Sequence, residues 1–341
     1  MTPSRNLENR VLLWLNILTA AAGYGDVSSG DYPNWAERDV HIWTNTVRVD
    51  PEEFFGIGSD WDPACDFSEF QASEKNPMAP LYHDFNLNDA GRFHSIDMWE
   101  NNWFDHASSD GTSFGERMAR FYPESGYIGE NIAAGYPNAM SVVLDGWMCS
   151  AGHRANIMNA DYNELGVGVV STYYTQDFAA GVVETDSPVA MGNHSPELPT
   201  GPVEFMADYQ GGEPDVLNVV LDGEPSPLLL TFGAADQGIY SATISVTAGT
   251  DCHEYYFSWE EGDASGTFPE DGSYLFGMGC TEDSMWIDSQ LTPGASDEPE
   301  GFGAEDDKII GCSCSVSKSS KRGHLGIFGL VGVLLFLRRR S

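Results

Sequence analysis

The chain has 341 residues, about two domains' worth, with 41% hydrophobic and 12% aromatic residues, which excludes a wholly disordered polymer. Sixteen Lys and Arg against 52 Asp and Glu leave a formal charge of −36. That balance excludes nucleic acid as a partner, because phosphate binding needs clustered cations to release counterions.

No Lys or Arg stands between positions 155 and 307, whereas seven of the sixteen lie from Lys308 onward. So acidic a body is strongly hydrated and self-repelling. No D-x-[DN]-x-[DN]-G spacing marks a calcium loop in it.

In chain order, Arg5 and Arg10 precede an apolar stretch that ends in small residues at 19–22. A leader would look similar, but Glu8 and Asn9 break its basic region, and Leu12, Leu15 and Leu18 fall at helical spacing. The sequence predicts a first helix over 9–22, with any export signal lying upstream, and a long insertion over 24–76. Amphipathic spacing predicts helices over 86–99 and 140–148, and apolar runs predict strands over 165–170 and 178–183. Residues 188–202 are rich in Pro, Gly, Ser and Asn and read as a linker. Beyond them, apolar segments at 216–221, 228–232, 240–246, 255–259 and 274–278 alternate with turn signals and predict a small β-sandwich over 203–293. The linker implies that this sandwich and the preceding domain have independent cores.

Cys252 and Cys280 flank that block and predict a disulfide of an exported protein; Cys65 with Cys149 is a second candidate pair. Residues 294–311 are acidic and contain Gly and Pro, as a stalk would be. The end of the chain carries Cys312 and Cys314, a short apolar segment over 324–337, and Arg338, Arg339 and Arg340. That segment is shorter than the roughly 20 residues of a membrane-spanning helix. With the arginines held inside, Cys312 and Cys314 would face the exported side as a processing site.

Between these ends lies a dense set of strings: Phe104-Asp105-His106-x-Ser108, Gly129-Glu130-Asn131-Ile132-Ala133, Trp147-Met148-x-Ser150, Gly152-His153-Arg154-x-Asn156-Ile157 and Tyr162-x-Glu164-x-Gly166-Val167-Gly168. Their order and spacing resemble the CAP superfamily, the SCP-like or pathogenesis-related-1-like domains, in its bacterial branch. The resemblance implies an α+β fold: a three-layer α-β-α sandwich with a polar cleft over 7–187, Asn16 standing where bacterial members carry an Asn. The second module is similar to immunoglobulin-like or fibronectin-III-like sandwiches. The tail over 312–341 resembles the MYXO-CTERM sorting signal, which would anchor the chain at the envelope membrane.

In eukaryotic members two His and two Glu line the cleft, some with a divalent ion. Carried over, the first pair falls on His106 and Glu130, whereas the second Glu position is Ser150 and the last His position lies near Asp161. His153 and Glu164 are the replacement candidates, giving His106, Glu130, His153 and Glu164 as the ligand-binding set. Of these, His106, Glu130 and His153 would hold a Zn or Mg ion if one is bound, since imidazole and carboxylate both suit such metals. Each residue also has a plainer role open to it. His106 would bond Ser108 or a loop carbonyl, Glu130 would cap a helix beginning near Asn131, Glu164 would pair with Arg154, and His94 would pack.

Three residues separate Ser150 from His153, a spacing that does not by itself make a nucleophile and its base. The expectation is therefore an extracellular or surface protein whose cleft binds a lipid, peptide or envelope component without catalysis. The alternative is a metal-dependent hydrolase using the same cleft.

Overall fold

The computed structural model describes residues 33–56, 65–122, 126–183, 185–197, 199, 201–246, 251–270, 272–277, 280 and the backbone of 311–318. The expected helix over 9–22 with Asn16, most of the acidic stalk and the apolar segment over 324–337 lie outside the described residues. Among the described residues no helix is long and apolar enough to cross a membrane.

Helix α1 (Trp35–Val49) begins at a capping box: Asn34 accepts from the Glu37 amide, and the Glu37 carboxylate accepts from the Asn34 amide. Twelve of its 15 residues are buried, so it sits between layers instead of lying on a surface. Three of its buried charges, Glu37, Arg38 and Arg48, have partners. Arg92 pairs with Glu37 at 2.6 Å, Arg38 donates to Asn193 and lies over the Tyr274 ring, and Arg48 donates to the carbonyls of Ala79, Ile157 and Asn159. α2 (Pro51–Phe55) follows directly, with proline in its first turn where a missing amide proton costs nothing.

The first sheet runs in the order β1 (Tyr82–His83), β3 (Glu164–Val170), β4 (Tyr173–Ala179), β2 (Tyr127–Ala134) and β14 (Gly311–Lys318). β1 is parallel to β3 and the other pairs are antiparallel. α3 (Phe85–Glu100) and α4 (Phe114–Phe121) cover one face. The other carries α1, α5 (Ala139–Ser141) with a wider π-type turn over Val142–Trp147, and α6 (Ala151–Ile157). Two glycines set the α3 contact: a Cβ on Gly166 would lie 2.0 Å from the Leu87 carbonyl carbon, and one on Gly168 2.1 Å from that of Gly91. The expected helices over 86–99 and 140–148 are present. The strand expected over 178–183 lies earlier, at β4, because its alternating Tyr, Thr and Gln side chains are buried between two helical layers and do not look apolar in the sequence.

A second unit has two sheets around one core. One runs β5 (Val189–Ser195), β6 (Pro202–Gln210), β10 (Gln237–Ser245), β9 (Leu229–Ala234). The other runs β12 (Ala264–Phe268), β11 (His253–Glu261), β7 (Val216–Leu221), β8 (Glu224–Pro227), with β13 (Tyr274–Phe276) also paired to β11. Phe205, Tyr209, Tyr255, Phe257 and Tyr274 fill the space between them.

Several expectations change here. The sandwich begins at β5, inside the stretch read as a linker, because the alternation of small and polar residues in Val189–Ser195 hides a buried strand. Residues 35–49, assigned to an insertion, are instead the helix that carries Val40 and Val47 into the first unit's core. The same helix lends Ile42 and Val49 to the sandwich core, and Phe54 meets Phe232 at 5.1 Å between ring centroids. The two cores are therefore not independent.

Both disulfides form. Cys65–Cys149 fastens the 65–76 segment to the end of the Val142–Trp147 turn. Cys252–Cys280 joins the residues before β11 and after β13, neighbours within one sheet, so it does not cross the sandwich.

Candidate functional site

Strand β2 passes between the two helical layers, and successive side chains point to opposite faces. Glu130 therefore projects toward α3 and α4, whereas Asn131 projects toward α6. Four further elements bring groups to Glu130. The residues between α3 and α4 supply His106. A capping box between Ser113 and Glu116 starts α4 and fixes Arg117 one residue later. β4 supplies Asp177, directly opposite Glu130 in register. α3 supplies His94.

His106 Nδ1 lies 2.7 Å from Glu130 Oε1, and Arg117 Nη2 donates to Glu130 Oε2. Arg117 Nη1 also donates to the His106 carbonyl at 3.0 Å and to Ser108 Oγ at 3.1 Å, so one guanidinium holds both the carboxylate and the loop bearing the histidine. Burial alone would raise the Glu130 carboxyl, but Arg117 and the bond from His106 outweigh it and bring it down to about 2. Asp177, also fully buried, moves the opposite way. Burial comes first among the causes and the Glu130 charge second, and together they hold its carboxyl well above the usual range. Neither carboxylate oxygen of Asp177 has a hydrogen-bond partner among the described residues. His94 is brought down to about 4, chiefly by burial, and its Nε2 donates to the Asp105 carbonyl at 3.0 Å.

Since ionised Glu130 only accepts, Nδ1 of His106 carries a proton, and Nε2 is the ring nitrogen that the cluster leaves unused. Among the described residues His106 Nε2, His94 Nδ1 and Arg117 Nε have no partner. His94, Arg117, Glu130 and Asp177 are closed off, whereas the His106 side chain keeps 19% of its surface. His106 is thus the point at which a buried charged cluster reaches solvent. The exposed Trp103 stands in the same loop, its Nε1 donating to the Ala107 carbonyl at 2.7 Å.

Of the four expected ligand-binding residues, the structure brings together His106 and Glu130. His153 lies across the sheet: Asn131, on the opposite face of β2, donates to the His153 carbonyl at 3.2 Å. Glu164 accepts from the Tyr122 hydroxyl at 2.7 Å. It does not pair with Arg154, which bonds Glu74 at 2.9 Å and stacks on Phe70. The expected three-ligand metal set is not assembled. Among the described residues no three His, Cys, Asp or Glu side chains are grouped to hold an ion. Both Glu130 oxygens are already taken, one of them by a cation, so the donor set does not fit a Zn or Mg ion.

Asp177 was not legible as a site residue, although a charged residue in the middle of the wholly buried strand β4 was a usable signal. Arg117 was likewise given no role by the sequence.

Residues 43–183 match the sequence model of the CAP family, described as the cysteine-rich secretory protein family. Over 104 residues the chain is 40% identical to the uncharacterized membrane protein YlbC of Bacillus subtilis, covering 30% of each protein. Over 107 residues it is 38% identical to the uncharacterized protein YkwD of the same organism, covering 31% of this chain and 41% of that one. The chain thus spans less than half the length of either relative. Among solved structures, an extracellular SCP-domain protein of Bacillus anthracis aligns at 36% identity and a TM-score of 0.29, covering 30% of this chain and 35% of that one.

Proposed function

Residues 43–183 are a CAP domain, and we propose that it is the ligand-binding module of an exported surface protein, with His106 as the residue that meets the ligand. The observation that carries this reading is the wiring of His106. Its Nδ1 is held by an ionised, buried Glu130, which leaves Nε2 without a partner, buried just beneath the part of the ring that reaches the surface. Such a site recognises a hydrogen-bond donor on a neutral ligand, a hydroxyl or amide of an envelope component, because the Glu130–Arg117 pair is already neutral overall. Two disulfides support export, since such bonds persist in oxidising compartments. The hydrolase alternative loses its support with the metal set.

We read the second unit as immunoglobulin-like. Its sheets, lettered in chain order, run A-B-E-D and G-F-C-C′, which is how constant-type immunoglobulin strands are arranged apart from the added C′. The tail over 312–341 fits anchoring at the envelope membrane, where the domain would work.

The test uses the full chain, purified cell-wall sacculi and phospholipid vesicles in co-sedimentation. Saturable binding to one of these, lost in His106→Ala while the cooperative thermal transition is kept, is the expected result. Binding that survives His106→Ala, or none to either material, would remove the reading.

A further inference from the structure

Strand β14 is foreign to the domain it completes. The four strands β1, β3, β4 and β2 all lie within the residues that match the CAP family, or, for β2, β3 and β4 together with β1, between positions 43 and 183. β14 lies far downstream, past the whole sandwich, at Gly311–Lys318. Yet it pairs antiparallel with β2 along its entire length, from Gly311 opposite Ala134 to Lys318 opposite Tyr127, with Ser315 opposite Glu130. The residues expected as an accessible processing site, Cys312 and Cys314, are therefore inside a paired strand, opposite Ala133 and Asn131.

Without β14, β2 would be an edge strand with a row of unpaired amides and carbonyls, a ready template for another chain. The segment that fills it reads Gly-Cys-Ser-Cys-Ser-Val-Ser-Lys, with no proline and no charge before its last residue. The segment before it, positions 281–310, holds nine Asp or Glu against one Lys. The pairing is made by the strand's own backbone bonds to β2.

We propose that the edge of β2 is a binding site for an extended peptide strand, and that residues 311–318 are its resident, exchangeable ligand. Recognition is through the backbone, as in other strand-addition sites, so the ligand class is an uncharged, proline-free peptide segment. Release of the strand bares the sheet edge beside Glu130. This inference is independent of the reading of His106.

The experiment uses the full chain and a full-length variant carrying both Ser315→Pro and Val316→Pro. Successive amides of a strand point to opposite edges, so one of these two prolines must remove a bond to β2. The probe is a fluorescent peptide of the natural 311–318 sequence, and the second readout is hydrogen exchange of the β2 amides. The variant should keep its thermal transition, lose protection along β2, bind the peptide saturably and regain protection on binding. The unaltered chain should bind it on the order of tenfold more weakly or more, because its own strand competes. Unchanged β2 protection in the variant or failure to bind the peptide would overturn the proposal. So would global unfolding of the variant, which would make β14 an integral part of the fold.

Discussion

Two buried carboxylates in this protein have opposite fates. Glu130 sits among Arg117, His106 and Asp177 on the α3–α4 side of the CAP sheet and stays ionised down to about pH 2. Asp208 sits between α1 and β6, where the Asn45 amide donates to it at 2.5 Å and burial pushes its carboxyl well above the usual range. The neighbouring polar groups there are equally quiet. Asn45 bonds both the amide and the carbonyl of Leu81, and His41, brought down to about 4 by burial, donates to the same carbonyl. Charge is thus kept where a cation compensates it and a side chain carries it to the surface. Where the role is to join two cores, the same residue type is held neutral. The difference separates a site from a seam.

The largest expected effect tests the seam. Excising residues 202–288 strips α1 of the sheet that covers Ile42 and Val49. Calorimetry on the shortened chain should then show no cooperative CAP transition, and a normal transition would mean that the cores are separable after all.

Next comes the site. Arg117→Met leaves Glu130 buried without its cation and should cost about 3–5 kcal/mol in denaturant unfolding. Adding Glu130→Leu should recover most of that loss, since the cost lies in the unpaired charge. A mild effect of the single change would show that Glu130 does not depend on Arg117.

The seam also has a pH signature. An unfolded aspartate ionises near pH 3.9, whereas folded Asp208 holds its proton well above that. The folded chain binds the extra proton in this window, so the residue makes stability fall as pH rises, by about 1.4 kcal/mol per pH unit at most. Asp208→Asn should therefore stabilise the protein at pH 7, with the gain vanishing toward pH 3. An equal change at both values would mean that Asp208 is ionised in the fold.

The smallest effect is expected at His106. Its removal deletes one bond to Glu130 and little packing, so His106→Ala should lower stability by about 1–2 kcal/mol. A loss as large as that of a core truncation would make it structural.

Much of this was legible beforehand, for identifiable reasons. The strings around His106, Glu130 and Gly166 carry backbone and site constraints that fix residue types at set spacings, so the CAP domain could be read from them. Strand β7 was readable to the residue because Val216–Leu221 is apolar between clear turns. α1 was missed because a helix buried on both sides, with Glu37, Arg38, Asp39 and Arg48 all inside, has no apolar stripe. His153 was placed with Glu130 because the resemblance left two cleft positions unmatched and His153 was a candidate to replace one, but the strings do not show that strand alternation puts a sheet between them. β14 could not be foreseen, since pairing across so many residues leaves no local pattern.

The ionisation states of Glu130 and Asp177 test the central claim most directly, because the acceptor on His106 exists only if Glu130 is a carboxylate. Carboxyl carbon shifts of the two residues, followed by NMR across pH in the full chain, report each state separately. The account predicts a Glu130 signal that stays ionised as pH falls toward 2 and an Asp177 signal that titrates well above the usual carboxylate range. A common titration of both near pH 4 would contradict it.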